Sequence, residues 1–232
     1  MSAIGADLVQ DLERRFVTTT VDVGVAGESL AILKPRNSDD LISEADYVRD
    51  ERLPYWADVW PSSLILATRL ANAPGAGRTL LELGCGLGIV SITAMRSGFD
   101  VLSTDYYEDA LLFTRANAWR NLQREPAVRM VDWRALPPDL GTFDLVVAAD
   151  VLYEMTYAEL IADALASALA PRGMAIIADP GRIAVGQFLD ACAARGLTRI
   201  DRDTHPFVEG TIRQQITLYS IRRASERSSS RR

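Results

Sequence analysis

The sequence is almost without lysine. Lys34 is the only one, so the positive charge is otherwise all arginine. It has a single histidine, His205, and two cysteines, Cys85 and Cys192. A disulfide framework or a metal cluster would need more partners than these, so both cysteines read as small buried apolar residues. No apolar run approaches the roughly 20 residues needed to cross a bilayer. Residues 1–10 lack a basic segment followed by an apolar one, so no secretory signal is expected and a cytoplasmic location is. With a net charge of −6, general affinity for nucleic acid or for an anionic membrane is disfavoured. Two nucleotide motifs are also incomplete. Dinucleotide binding asks for G-x-G-x-x-G, and Ile89 stands where the third glycine belongs; a Walker loop ends in Gly-Lys-Ser/Thr, and Gly88 is followed by Ile89, Val90 and Ser91.

What remains is the stretch Leu80-Leu81-Glu82-Leu83-Gly84-Cys85-Gly86-Leu87-Gly88-Ile89, an apolar strand entering a glycine turn and then a helix. Glycines at alternate positions let the backbone turn tightly and let its amides approach a ligand at the helix N-terminus. Glu82 precedes the turn, and Asp105 closes the next apolar run, Val101 to Asp105. An acid, a glycine turn and a second acid suit a ligand with ribose hydroxyls and an ammonium group, which describes S-adenosylmethionine. The bland alternative is a glycine turn used only for packing.

At 232 residues, 48 % hydrophobic and 24 % charged, the chain has the composition of an ordinary globular domain. An amphipathic helix is expected over Ile4, Leu8, Leu12 and Phe16, then a hairpin over 17–34 around Gly24 and Gly27. Asn37 to Asp40 offers capping chemistry before a charged stretch to Arg52, read as a short helix or an ordered loop. Pro54 to Pro61 is the most aromatic segment, and Trp56 and Trp60 could cover a bound adenosyl group or could be core. A helix is expected over 62–71. Strand and helix then alternate: strands 78–83, 101–105, 127–133, 143–149 and 174–179, with helices 88–97, 108–122, 156–170 and 184–195 between and after them. Two last strands, 197–203 and 212–221, should form a hairpin joined through His205-Pro206-Phe207 and Gly210. The expected fold is α/β: a Rossmann-like, seven-stranded, mainly parallel sheet with helices on both faces and a C-terminal antiparallel hairpin. Residues 1–53 form an extension, 54–223 the domain, and 224–232 a disordered tail.

Ligands in such sheets bind outside the carboxyl ends of the strands. The exits that carry a signal are the glycine loop, Asp105-Tyr106, Asp132-Trp133, and Ala149-Asp150 with Tyr153. Asp105 can take ribose hydroxyls or cap the next helix, and Trp133 can flank a purine. Asp150 could orient a substrate nitrogen with the help of Tyr153, or it could cap while Tyr153 packs. His205 could accept a proton, though a loop role beside Pro206 suits it better.

These residues resemble the class I, seven-β-strand S-adenosylmethionine-dependent methyltransferases, and within them the methyltransferase-like group that contains many protein-lysine methyltransferases. The matching features are Trp60, Leu81 to Gly88, Asp105, Asp132-Trp133 and the Asp150-x-x-Tyr153 element, over 54–221. Pro54-Tyr55-Trp56-Ala57 and Trp60-Pro61 look most like the branch that methylates the electron-transfer-flavoprotein β-subunit, although Ser62-Ser63 stand where that branch usually has glycines. The resemblance implies cofactor contacts from Trp60, Gly84, Gly86, Asp105, Trp133 and Ala149, with Asp150 and Tyr153 facing the target nitrogen. Glu82, Cys85, Gly88, Tyr106 and Asp132, in the same loop and strand exits, are expected to join the cofactor site, and no metal is expected. The resemblance also implies a protein lysine as the acceptor. A small-molecule N- or O-methyltransferase and a catalytically idle binding module remain as alternatives, and a monomer is the default. DNA amino-methylation ranks low because Asp150-Val151-Leu152-Tyr153 lacks the two prolines usual at that exit.

Overall fold

A computed structural model of the chain describes residues 4–41 and 54–224. The charged stretch 42–52 and nearly all of the expected disordered tail lie outside the described residues. Helix α1 (Ile4–Arg15) and the hairpin β1 (Thr18–Val25) and β2 (Glu28–Pro35) lead, through two short 3-10 turns at Ser38–Leu41 and Tyr55–Ala57, into helix α2 (Pro61–Leu70). Next come β3 (Thr79–Leu83), α3 (Ile89–Arg96), β4 (Asp100–Asp105), α4 (Glu108–Leu122), β5 (Ala127–Met130) and β6 (Phe143–Ala149). Helix α5 (Met155–Ala168), β7 (Leu169–Asp179), α6 (Val185–Ala194), β8 (Leu197–Glu209) and β9 (Ile212–Arg223) complete the chain.

The seven-stranded sheet runs β5-β4-β3-β6-β7-β9-β8. Its first five strands are parallel, and β8 and β9 form the expected antiparallel hairpin, with β9 lying between β7 and β8. Strand alternation divides the core in two. Leu80, Leu145, Val147 and Ile176 face α2, α3 and α4, where Leu66, Ile92 and Phe113 are buried. Leu81, Val146, Ala148 and Ile177 face α5 and α6, where Ile161, Leu165 and Phe188 are buried. With both faces covered, each fully buried aliphatic side chain contributes roughly 1.5–3 kcal/mol.

The N-terminal hairpin is fastened to α4 by amide side chains. Asn117 accepts the Leu33 N–H at 2.7 Å and donates to the Leu33 carbonyl at 3.0 Å, and Asn121 does the same for Ala31 at 3.0 Å each way. Val23, Val25, Leu30 and Ile32 therefore belong to the same core cluster as Trp56 and Phe113.

Three expected boundaries shift. Strand β5 stops at Met130, not 133, because the Asp132 carboxylate takes the Arg134 N–H at 2.9 Å and its carbonyl takes the Ala135 N–H at 3.0 Å, which turns the chain. Strand β7 begins at Leu169, inside the expected helix 156–170, since Leu169 is fully buried and pairs with Phe143 across a register shift. Strand β8 continues through His205 and Pro206 to Glu209, so His205 lies in a strand opposite Ile216 and not in a loop. Strand β8 is the sheet edge, where a proline forfeits no ladder bond on its open side.

Candidate active site

The carboxyl ends of β3, β4 and β6 open onto one cavity of about 390 Å³. It also receives the Tyr55–Trp60 segment, the loop after β5 and the turn after β7. Every expected site residue lines it except Gly88.

At one end the glycine loop leaves β3. Gly86 has φ +52, and a Cβ there would come 3.1 Å from the Trp56 carbonyl. Gly88 has φ +83, and its Cβ would lie 2.9 Å from Thr114. Left-handed backbone in such close quarters admits little but glycine. Gly88 is thus a packing glycine at the start of α3, which accounts for its absence from the cavity wall. The loop is tied to its neighbour, because Asp105 accepts the Gly86 N–H on Oδ2 at 3.0 Å and the Tyr107 N–H on Oδ1 at 3.1 Å. Burial raises the Asp105 carboxyl above its ordinary range against the pull of those amide donors.

Glu82 is 3 % exposed, and burial pushes its carboxyl up to about 8. Its Oε2 accepts from the Ser91 hydroxyl, which lies 2.5 Å from the Ser103 hydroxyl. No ion pair to an arginine or lysine is formed by either acid among the described residues. Cys85 is buried between them, and burial holds its thiol well above its usual value.

The side wall is aromatic. Trp133 meets Tyr157 edge-on with centroids 5.5 Å apart, Tyr157 meets Tyr153 at 4.9 Å, Tyr153 meets Tyr55 at 5.2 Å, and Tyr55 meets Trp60 at 6.0 Å. The Trp60 indole donates to the Tyr55 carbonyl at 2.7 Å. The Trp133 indole N–H is buried with no partner among the described residues. Asp132, by contrast, is spent on its neighbour: Arg134 Nε lies 2.9 and 3.0 Å from its two oxygens.

At the other end stands Asp150, which leaves β6 with φ +58, an uncommon conformation for a residue with a side chain. Its N–H continues the sheet to the Ala178 carbonyl at 2.9 Å. Its Oδ1 accepts Arg182 Nε at 2.8 Å, and its Oδ2 lies 3.5 Å from the Ser62 hydroxyl. Arg182, with Glu154 and Tyr157, is a cavity residue that sequence reasoning did not find. The only sequence signal for Arg182 was Asp179-Pro180-Gly181, a turn at a strand exit. His205 does not line the cavity.

Comparison with known proteins agrees with this geometry. The model of the lysine methyltransferase family matches residues 50–185. The chain belongs to that family. It is 34 % identical over 152 residues to the electron transfer flavoprotein beta subunit lysine methyltransferase of Danio rerio, covering 63 % of this chain and 57 % of that one. It is 34 % identical over 121 residues to the protein N-lysine methyltransferase METTL21A of the same species, covering 48 % and 55 %. The chain thus spans about half the length of these curated relatives. Among solved structures it is similar to the ribosomal protein L11 methylase of Lactobacillus delbrueckii, with a TM-score of 0.53 and 24 % identity over 70 % of this chain and 77 % of that one. It is also similar to the magnesium protoporphyrin IX methyltransferase of Synechocystis with bound SAH, with a TM-score of 0.55 and 19 % identity over 69 % and 81 %. At such identities the likeness is one of fold.

Proposed function

We propose that this protein is an S-adenosylmethionine-dependent N-methyltransferase whose acceptor is a lysine side chain of another protein. What carries this conclusion is one observation: a single cavity joins two buried acids that have no cationic partner among the described residues, Glu82 and Asp105, to an acid at the neighbouring strand exit, Asp150. The family to which the chain belongs, and the names of its relatives, support lysine as the acceptor.

The residues present suit the cofactor. A cavity of about 390 Å³ is within the usual range for a ligand of this size. The Asp105 carboxylate accepts backbone N–H groups of the glycine loop and of its own exit, among them Gly86 on Oδ2 and Tyr107 on Oδ1, and with about four lone-pair sites keeps capacity for a ribose hydroxyl. Glu82, lifted by burial, would ionise more readily beside a positive charge, so an ammonium group offsets the cost of its burial. Trp133, whose indole N–H has no partner among the described residues, suits the edge of a purine, and Gly84, Gly86 and Ala149 present a wall with little side chain.

Bound S-adenosylmethionine would supply a methyl group on a sulfonium: the amine lone pair would form the carbon–nitrogen bond as the carbon–sulfur bond breaks, leaving a neutral thioether and a methylated ammonium that would give its proton to solvent. The protein's task is therefore alignment and exclusion of water more than acid–base power. Asp150 would accept an N–H of the acceptor and turn its lone pair toward the cofactor end, and Tyr153 would bound the channel in which the amine lies. Tyr55, a residue of the cavity wall, is exposed, and so are Met155 and Ile183, which follow the wall residues Glu154 and Arg182 in sequence. Apolar side chains standing in solvent next to the wall residues favour a protein acceptor over a small molecule.

The direct test is incubation with methyl-labelled S-adenosylmethionine and a lysate of the source cells, followed by separation of macromolecules from small molecules. Label on lysine of a discrete protein band is expected. Label confined to small molecules would remove the lysine reading. Asp150→Ala should abolish transfer while cofactor affinity, read by calorimetry, stays within about fivefold. Equal loss of both would make Asp150 a structural or cofactor-binding residue.

A further inference from the structure

Asp150 carries an arginine of its own. Its side chain is 5 % exposed and that of Arg182 38 %, and Nε meets Oδ1 at 2.8 Å. The guanidinium is returned to β6 by a built turn, since Asp179 Oδ1 accepts the Gly181 N–H at 2.7 Å and the Arg182 N–H at 2.6 Å immediately after β7. Thus the two neighbouring strands β6 and β7 each end in a residue committed to the pair. A fully exposed ion pair contributes little, but a buried carboxylate such as Asp150 is costly without compensation.

We propose that Arg182 is a positioning residue that neutralises Asp150, so that the pocket admits the target nitrogen as a neutral amine in preference to an ammonium. This rests on the reading of the site as an amine methyltransferase. Only the neutral amine has a lone pair to give. A buried, uncompensated carboxylate beside the acceptor would attract the ammonium and hold its proton, trapping the unreactive form. With Arg182 on Oδ1 the charge at that end is balanced, and Oδ2 can accept one N–H of a neutral amine.

The other charged or titratable groups near the pair are Asp179 behind it, Tyr55 from the N-terminal arm, Tyr153 and Glu154 after β6, and Glu82 and Asp105 across the cavity. Asp179 forms no ion pair with the guanidinium among the described residues. Burial, and then the charge of Asp150, raises its carboxyl, and its Oδ2 is buried with no partner among the described residues.

The test uses n-butylamine, the four-carbon amine of a lysine side chain, titrated by calorimetry at pH 7 into protein saturated with S-adenosylhomocysteine. Arg182→Gln is expected to bind butylammonium about tenfold or more tightly than the wild type, because it uncovers the Asp150 charge. The double variant Asp150→Asn, Arg182→Gln should lose that gain. Arg182→Lys, which keeps the charge, should stay within about threefold of the wild type. S-adenosylhomocysteine affinity should be alike in all four proteins, which shows that each is folded. If Arg182→Gln binds butylammonium no better than the wild type while S-adenosylhomocysteine binds both, the Arg182 proposal fails alone. If S-adenosylhomocysteine does not bind the wild type, the methyltransferase reading fails and takes the proposal with it.

Discussion

The two ends of the cavity treat buried acids in opposite ways. At the glycine-loop end, Glu82 and Asp105 are held by hydroxyls and backbone amides, with no cation beside them among the described residues, and burial raises both. At the far end, Asp150 is just as buried but is matched by Arg182. A site with unmatched acids awaits a positive charge, whereas a matched one has its charge already balanced. The contrast separates a cofactor subsite, where affinity for a cation is an advantage, from an acceptor subsite, where it would favour the wrong protonation state.

The contrast breaks first at Asp105. Its carboxylate anchors Gly86 and Tyr107 and, in the proposed function, also holds the ribose. At about 1.5–3 kcal/mol for each hydrogen bond to a charged group, Asp105→Ala should weaken S-adenosylhomocysteine binding by roughly two to three orders of magnitude by calorimetry. A loss below about tenfold would mean that the unmatched acid at β4 does not serve the cofactor.

The next effect is read from stability against pH. The Glu82 carboxyl is raised from 4.5 to about 8 in the folded protein. Between those values the folded state holds a proton that the unfolded state has released, so its stabilising contribution is full below about 4.5, falls as pH rises and is gone above about 8. Glu82→Gln keeps the shape and an acceptor for Ser91 but cannot titrate. Thermal unfolding should therefore show a wild-type decline across this window, worth up to about a factor of ten in the folding constant per pH unit, that the variant lacks. Parallel profiles would mean that the buried acid is ionised without a cation, and the contrast would collapse.

The two ends also differed in how readable they were beforehand. The glycine loop and Asp105 were legible because strand, turn and acid are contiguous or lie one β-α-β unit apart, and left-handed backbone at Gly86 leaves a direct mark in composition. Asp150 was legible as a strand exit, but its partner lies 32 residues away, and the turn that returns Arg182 depends on the buried carboxyl of Asp179. Neither periodicity nor local spacing encodes that return. Sheet context similarly hid the full length of β8, since Pro206 is tolerated only because that strand is an edge.

The smallest expected effect is at Asp132, which sits at the exit of β5 next to Asp105 and lines the same cavity. Both acids were expected among the cofactor-binding residues, Asp105 closing an apolar run and Asp132 beside Trp133. Asp132, however, binds the guanidinium of Arg134 two residues on, and its side chain is 31 % exposed. Such a matched, solvent-screened acid has little attraction left for a cationic or hydroxylic ligand. Asp132→Asn should therefore change S-adenosylhomocysteine affinity by less than about threefold, although the residue is as near the cavity as Asp105. A loss as large as that of Asp105→Ala would show that proximity outweighs charge matching, and the same reasoning would then fail for Asp150 and Arg182.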